Sequence, residues 1–242
     1  MSQTIVRYQR GHRAVAGFLV QFFVVAWLSS ARAGHPVAFS SSDAAVDTVT
    51  VAGTSTLHDW EVESRVVRGR MVFAEIGVGA SWETVAAALL SEERTPDTRV
   101  VIPVRSLESG RRRMDREMFG ALKADKHAAI VYKLNALGGM PDERGTEEAA
   151  GAEGRATLRL LAKGELTIGG QTREVEFPVA IAAREQGLTV RGEVALKMTD
   201  FDVDPPRLML GALRVGDAIT IRFEWQPDRE TERGAERLGK GD

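Results

Sequence analysis

Between Leu158 and Trp225, apolar and polar residues alternate through successive segments separated by glycine-containing turns. A strand sends neighbouring side chains to opposite faces, so a period of two marks half-buried antiparallel β-structure. In 174–182, Val175, Phe177, Val179 and Ile181 share one face, while Glu174, Glu176, Pro178 and Ala180 share the other. The pattern returns with Leu188, Val190, Val194 and Leu196 against Thr189, Arg191, Glu193 and Lys197. It returns once more with Ile219, Ile221, Phe223 and Trp225 against Thr220, Arg222 and Glu224. Repeated strands with one apolar face each predict an antiparallel sandwich or closed barrel.

Extending the same reading along the chain gives strands over 47–52, 60–67, 70–74, 99–105, 129–137, 155–168, 173–183, 188–197 and 218–225. Two segments leave the period of two. Residues 81–90 offer Ser81 as an N-cap to an alanine-rich helix, and residues 111–123 set Met114, Met118, Phe119 and Leu122 on one helical face. Residues 138–154 are glycine-rich, acidic and contain Pro141, so they read as a long surface hairpin loop with too few apolar residues to seed a core. No repeat and no second core divides the remainder, which is therefore one domain.

The ends of the chain read differently. Arg7, Arg10 and Arg13 precede an apolar run over 14–28, and Ala31-Arg32-Ala33 supplies the small residues of a cleavage site, so residues 1–33 are expected to be a secretory signal peptide. The run is too short for a spanning helix, which wants about 20 apolar residues. The domain is then expected over 34–226, in the periplasm or secreted, and Pro227–Asp242 is expected to be a disordered polar tail. With no cysteine in the chain, disulfides and a cysteine-linked lipid anchor are both excluded. Removing residues 1–33 takes four arginines and no acids, which leaves 28 basic against 34 acidic residues and a net charge of −6. That balance argues against nucleic acid as a partner.

Candidate chemistry is thin. No nucleophile elbow, phosphate-cradling glycine loop or zinc-type histidine spacing occurs, and His35, His58 and His127 are far apart in sequence. His58-Asp59 is the one pair that an acid–base or metal site could use, although structural hydrogen bonding at a strand start accounts for it more simply. Asp200, Asp202 and Asp204 alternate as in calcium loops, but Pro205-Pro206 and the missing downstream glutamate spoil that motif, and they read as turn formers. Arg111-Arg112-Arg113 could meet phosphate, but it opens an amphipathic helix, and for Arg111 and Arg112 a solvated first turn is the simpler reading. The residues point to binding rather than catalysis, with no cofactor.

Three blocks stand in order: Gly53-Thr54-Ser55-Thr56-Leu57-His58-Asp59-Trp60, then Val104-Arg105-Ser106-Leu107-Glu108-Ser109-Gly110, then 164–173 from Gly164-Glu165 to Thr172-Arg173. With Met114, Asp115 and Met118, with Phe201 and Pro205-Pro206, and with Val215-Gly216-Asp217, their order resembles the YceI-like family of secreted bacterial lipid-binding proteins. The resemblance spans about residues 46–225. It departs where Asp200-Phe201-Asp202 replaces an aspartate-phenylalanine-glycine segment, and where 81–94 and 138–154 are expanded.

That resemblance implies an all-β fold, an antiparallel lipocalin-like barrel of about eight strands with one or two short helices. It also implies a non-enzymatic role in which an isoprenoid lipid, a polyprenyl chain or a quinone tail, lies inside the barrel. Alternating positions supply the expected lining: Val62, Phe73, Ile102, Tyr132, Leu134, Val175, Phe177, Val179, Val190, Val194, Ile221 and Phe223. Arg113, Asp115 and His127, near the second helix, are the expected contacts for a polar head. Transient membrane contact and a homodimer are compatible with this reading. The alternative is the same barrel filled solid, acting as an interaction or structural module without a lipid.

Overall fold

A computed structural model of the chain describes residues 36–42, 46–91, 93–140, 157–208 and 213–231. The expected signal peptide, most of the 138–154 loop and residues 232–242 of the expected tail lie outside the described residues. Twelve strands and two α-helices follow in chain order. They are β1 (Pro36–Ser40), β2 (Thr48–Ser55), β3 (Trp60–Ser64), β4 (Arg68–Gly77), α1 (Trp82–Leu89), β5 (Asp97–Pro103), α2 (Arg112–Ala121), β6 (Ala129–Gly139), β7 (Thr157–Ile168), β8 (Gln171–Ala183), β9 (Leu188–Lys197), β10 (Arg207–Leu208), β11 (Leu213–Trp225) and β12 (Asp228–Arg229).

All the ladders are antiparallel, and one sheet runs β12-β1-β4-β5-β6-β7-β8-β9-β11-β2-β3, with two-residue β10 attached to β11 alone. The path therefore holds eleven strands rather than about eight. The additions are short and carry no alternation to read. In β1, Val37, Ala38 and Phe39 are all buried, so no polar face betrays the strand. β12 lies inside the charged segment expected to be tail, where Phe39 pairs with Arg229 and Ser40 with Asp228. Buried Pro227 and the bidentate Arg70–Glu230 pair fix the same stretch, so the domain ends a few residues beyond 226.

The two ends of the strand path are joined by contacts other than a ladder. At one end of the barrel the Trp225 indole donates to Ser41 Oγ at 2.8 Å, its ring lies on Gly69, and Asp47 accepts from the Gln226 backbone N–H at 2.7 Å. At the other end Glu63 of β3 exchanges both backbone hydrogen bonds with Glu108, and the hydroxyls of Ser64 and Ser106 meet at 2.7 Å. These contacts occupy a sheet edge that would otherwise present free N–H and C=O groups.

The longest hairpin, β7–β8, keeps twelve residue pairs in register up to the Gly169-Gly170 turn, where both residues have positive φ (57° and 88°). Two positive-φ residues in a two-residue loop are what the twist of a hairpin favours, and glycine adopts them without steric cost. A register shift in β6 after Leu134 puts both Leu134 and Leu137 on the inner face, three residues apart, where strict alternation would expose one of them.

Two apolar clusters fill the interior. One surrounds α1, whose Ser81 cap accepts from Thr84 N–H and whose Val85, Ala88 and Leu89 are buried against Ile76, Leu137 and Leu158. Burial of Val85 or Leu89 is worth about 1.5–3 kcal/mol each. The other cluster lies beneath α2, a helix with no fully buried residue, around Val62, Leu107, Ile130, Phe201 and Val203. One end of the barrel is thus plugged and the other only covered.

Candidate binding cavity

Two apolar chambers lie in series along the barrel. The outer one, about 310 Å³, opens between α2 and the β2–β3 turn; its wall includes Val62, Trp60, Met114, Met118, Leu122, Met198, Phe201 and Val203. The inner one, about 130 Å³, reaches toward the plugged end between Ile102, Tyr132, Leu134, Phe177, Val179, Val190, Val194, Phe223 and Trp225. Val51, Leu107, Ile130 and Ile221 belong to both walls and form the waist between them. Small-molecule sites begin near 300 Å³, which the outer chamber reaches, and the inner chamber is a little smaller than the void of about 150 Å³ that accepts benzene, so it suits a slender extension of a ligand.

The local sequence explains the shape. Gly53 lets the Trp60 ring lie directly across β2, where any β-carbon would collide with the indole; Trp60 Nε1 then donates to Thr54 O at 3.1 Å. Inside, Tyr132, Phe177 and Phe223 form a chain of aromatic contacts with centroids 5.4 and 5.8 Å apart. Tyr132 lays its hydroxyl against Gly164, and that oxygen has no hydrogen-bond partner among the described residues. Burial raises its pKa far above the usual phenol range, so the hydroxyl stays protonated.

The mouth of the outer chamber is cationic on one side. Arg111 and Arg113 line it with His58 and Glu117. His58 Nδ1 donates to the Asp59 main-chain oxygen at 2.8 Å, which leaves Nε2 to accept from Arg111 at 3.4 Å. His58 and Asp59 therefore do not form an imidazole–carboxylate pair. No group of three or more potential metal-ligating side chains converges among the described residues.

Eleven of the fifteen residues expected at the site lie on these walls. Val62 and Arg113 line the outer chamber, Ile221 lines both, and Ile102, Tyr132, Leu134, Phe177, Val179, Val190, Val194 and Phe223 line the inner one. Four lie elsewhere. Phe73 packs edge-on against Phe39 in the core near α1, because β4 has crossed to the plugged end there. Val175 is a half-buried residue between the two apolar clusters. Asp115 is committed to α2's start, accepting from Ser109 N–H at 2.8 Å and Ser109 Oγ at 2.6 Å. The His127 ring sits on Gly170 at the β7–β8 turn, away from the chamber wall. Sequence reasoning missed Phe201 and Val203, although they alternate with Asp200, Asp202 and Asp204; the acids face solvent and the apolar pair faces the chamber.

A curled antiparallel sheet with an apolar interior, plugged by one helix and covered by another, defines a lipocalin-like binding barrel. The YceI-like domain model matches residues 37–226, and the chain belongs to that family. BcnA of Burkholderia cenocepacia has the same fold, with a TM-score of 0.53 at 15% identity over 76% of this chain and 96% of that one. So does a polyisoprenoid binding domain from Saccharophagus degradans implicated in plant cell wall breakdown, with a TM-score of 0.55 at 11% identity over 81% of this chain and all of that one. No curated protein matches the chain.

Proposed function

We propose that this protein is a non-catalytic periplasmic carrier that holds an isoprenoid chain, of polyprenyl or quinone type, inside the barrel. The observation that carries the reading is the pair of predominantly apolar chambers that share a waist, the outer one with a polar rim. A flat or globular ligand would not need two voids joined by a waist; a slender, branched chain would. The similarity in fold to a polyisoprenoid binding domain supports the same reading.

Energetics set the task. Each buried methylene favours leaving water by about 0.8 kcal/mol, so a chain of several isoprene units has almost no free aqueous population and crosses water only inside a container. Moving it from bilayer to barrel exchanges one apolar environment for another, and hydrophobic free energy then discriminates little. Selection falls to the waist and to the mouth, where Arg111 and Arg113 offer hydrogen-bond donors to a phosphate or a carbonyl oxygen. His58 joins this rim as a donor-acceptor group rather than as an acid–base catalyst.

Native mass spectrometry of freshly isolated protein tests the reading: a lipid-sized adduct is expected, and the stripped protein should take up added polyprenol. Val179→Trp, which places an indole in the inner chamber, should abolish uptake while the protein stays folded by circular dichroism. A stripped wild-type protein that binds neither polyprenol nor quinone would overturn the carrier and leave the barrel as an interaction module.

A further inference from the structure

The rim of the outer chamber carries a run of arginines at the start of α2. On the α2 side stand Arg111, Arg112, Arg113 and Arg116, all exposed. Arg112, Arg113 and Arg116 make no ion pair with a described residue, and the Arg111 guanidinium hydrogen-bonds only His58 among them. Of the nearby acids, Asp115 is engaged by Ser109, which leaves exposed Glu108, Glu117 and the turn residue Asp59. The segment carrying Phe201 and Val203, which line the same chamber, turns Asp200, Asp202 and Asp204 outward.

Leu57 adds a second observation. It lies in the β2–β3 turn beside His58, on the arginine side, and is 73% exposed, the highest of the exposed large apolar residues described. A large apolar side chain held in water beside His58 and its partner Arg111, at the opening of an apolar cavity, matches what a bilayer interface accepts: cations among anionic headgroups and an apolar residue at the acyl boundary.

We propose that the α2 and β2–β3 rim is a docking surface for an anionic phospholipid bilayer, with the arginines of α2 and Leu57 facing the membrane. Resting on the carrier reading, this assigns the place where the isoprenoid is exchanged: the chamber mouth meets the bilayer, so the chain need not cross open water. Anionic headgroups attract the arginines within a few ångströms of the surface and lose their hold as salt screens them. Leu57 anchors the contact without lining the cavity.

Vesicle co-sedimentation tests this with phosphatidylcholine alone and with equal parts phosphatidylcholine and phosphatidylglycerol. Wild type should partition to the anionic vesicles and not the neutral ones, and added salt should release it. Arg112→Glu with Arg116→Glu should lower partitioning by more than tenfold, since each surface cation is worth about fivefold in binding. Leu57→Asp should also weaken it. Neither variant touches the chamber wall, so both should bind polyprenol in solution with wild-type affinity, which also shows that they are folded. Polyprenol binding in solution without preference for anionic vesicles, or double charge reversal without effect on partitioning, overturns the docking surface alone. Anionic vesicle binding without any polyprenol uptake leaves the docking surface standing and overturns the carrier.

Discussion

The two helices cover opposite ends of one barrel and are built on opposite terms. α1 sinks Val85, Ala88 and Leu89 to 3% exposure or less and is part of the core. α2 buries nothing fully; Met114, Met118 and Leu122 look into a chamber, and its arginines face solvent. Near α1 a polar network of Ser41, Asp47, Trp225 and Gln226 ties strand ends together, and the Arg184–Asp228 pair adds a further clamp at 2.6 Å. Near α2 the fastenings are the Ser109–Asp115 cap and Arg105 resting on the Phe119 ring. Few buried apolar contacts mean a low free energy of local opening, so the molecule concentrates stability at one end and leaves access at the other.

The contrast should break most visibly at Leu89. Leu89→Ala leaves a cavity in a packed site and should cost about 3 kcal/mol by urea denaturation, the usual range for buried leucine. A loss under 1 kcal/mol would mean that α1 is not part of the core. Truncation after Gln226 should cost somewhat less, about 2–3 kcal/mol, because it removes the backbone bonds of Leu188 N–H to Pro227 O, Arg229 N–H to Gln186 O and Glu230 N–H to Ala38 O. Truncation after Thr231 should be neutral, and equal effects of the two truncations would remove β12 from the stabilising sheet. Met118→Ala at the open end should cost under about 1 kcal/mol in the same assay. Its effect should appear instead as faster loss of bound polyprenol.

The smallest expected effect concerns pH at the plugged end. Burial raises the Asp47 pKa from its ordinary 3.8, against the hydrogen bond from Gln226 and the charge of Arg184. A carboxyl whose folded pKa is raised favours the folded state while protonated; that contribution is complete below 3.8 and is lost as pH rises through the folded value. Asp47→Asn should therefore be slightly more stable than wild type at pH 7, with the gain shrinking as the pH falls toward 3.8. Glu230, lowered by its hydrogen bonds from Arg70, slopes the other way: its contribution is present above 4.5 and is lost on acidification. A pH-independent difference between Asp47→Asn and wild type would show that Asp47 is solvated in the folded protein.

Alternation over 158–225 was enough to identify β7, β8, β9 and the second half of β11, because each has one face in the core and one in water. Ser81 and the Met114–Met118 spacing were enough for both helices. Which inward residues touch a void was only partly legible. Phe73 and Phe177 both lie on apolar strand faces, yet one packs on Phe39 and the other lines the inner chamber. Periodicity reports a side chain's face and not its height along the barrel. Polar contacts were less legible still: Asp115 lies in the second helix and His127 follows it, but Ser109 and the Gly169-Gly170 turn claim them.

The chain's own order of apolar and polar residues thus determined an antiparallel all-β domain with two helical interruptions, since burial of one strand face is a local periodic property. Tertiary structure alone decided that β1 and β12 extend the sheet and that the interior divides into two chambers with a mouth rimmed by Arg111 and His58. Those outcomes depend on how far the sheet curls and which distant segments meet across it, and a hollow is the space that packed side chains fail to fill.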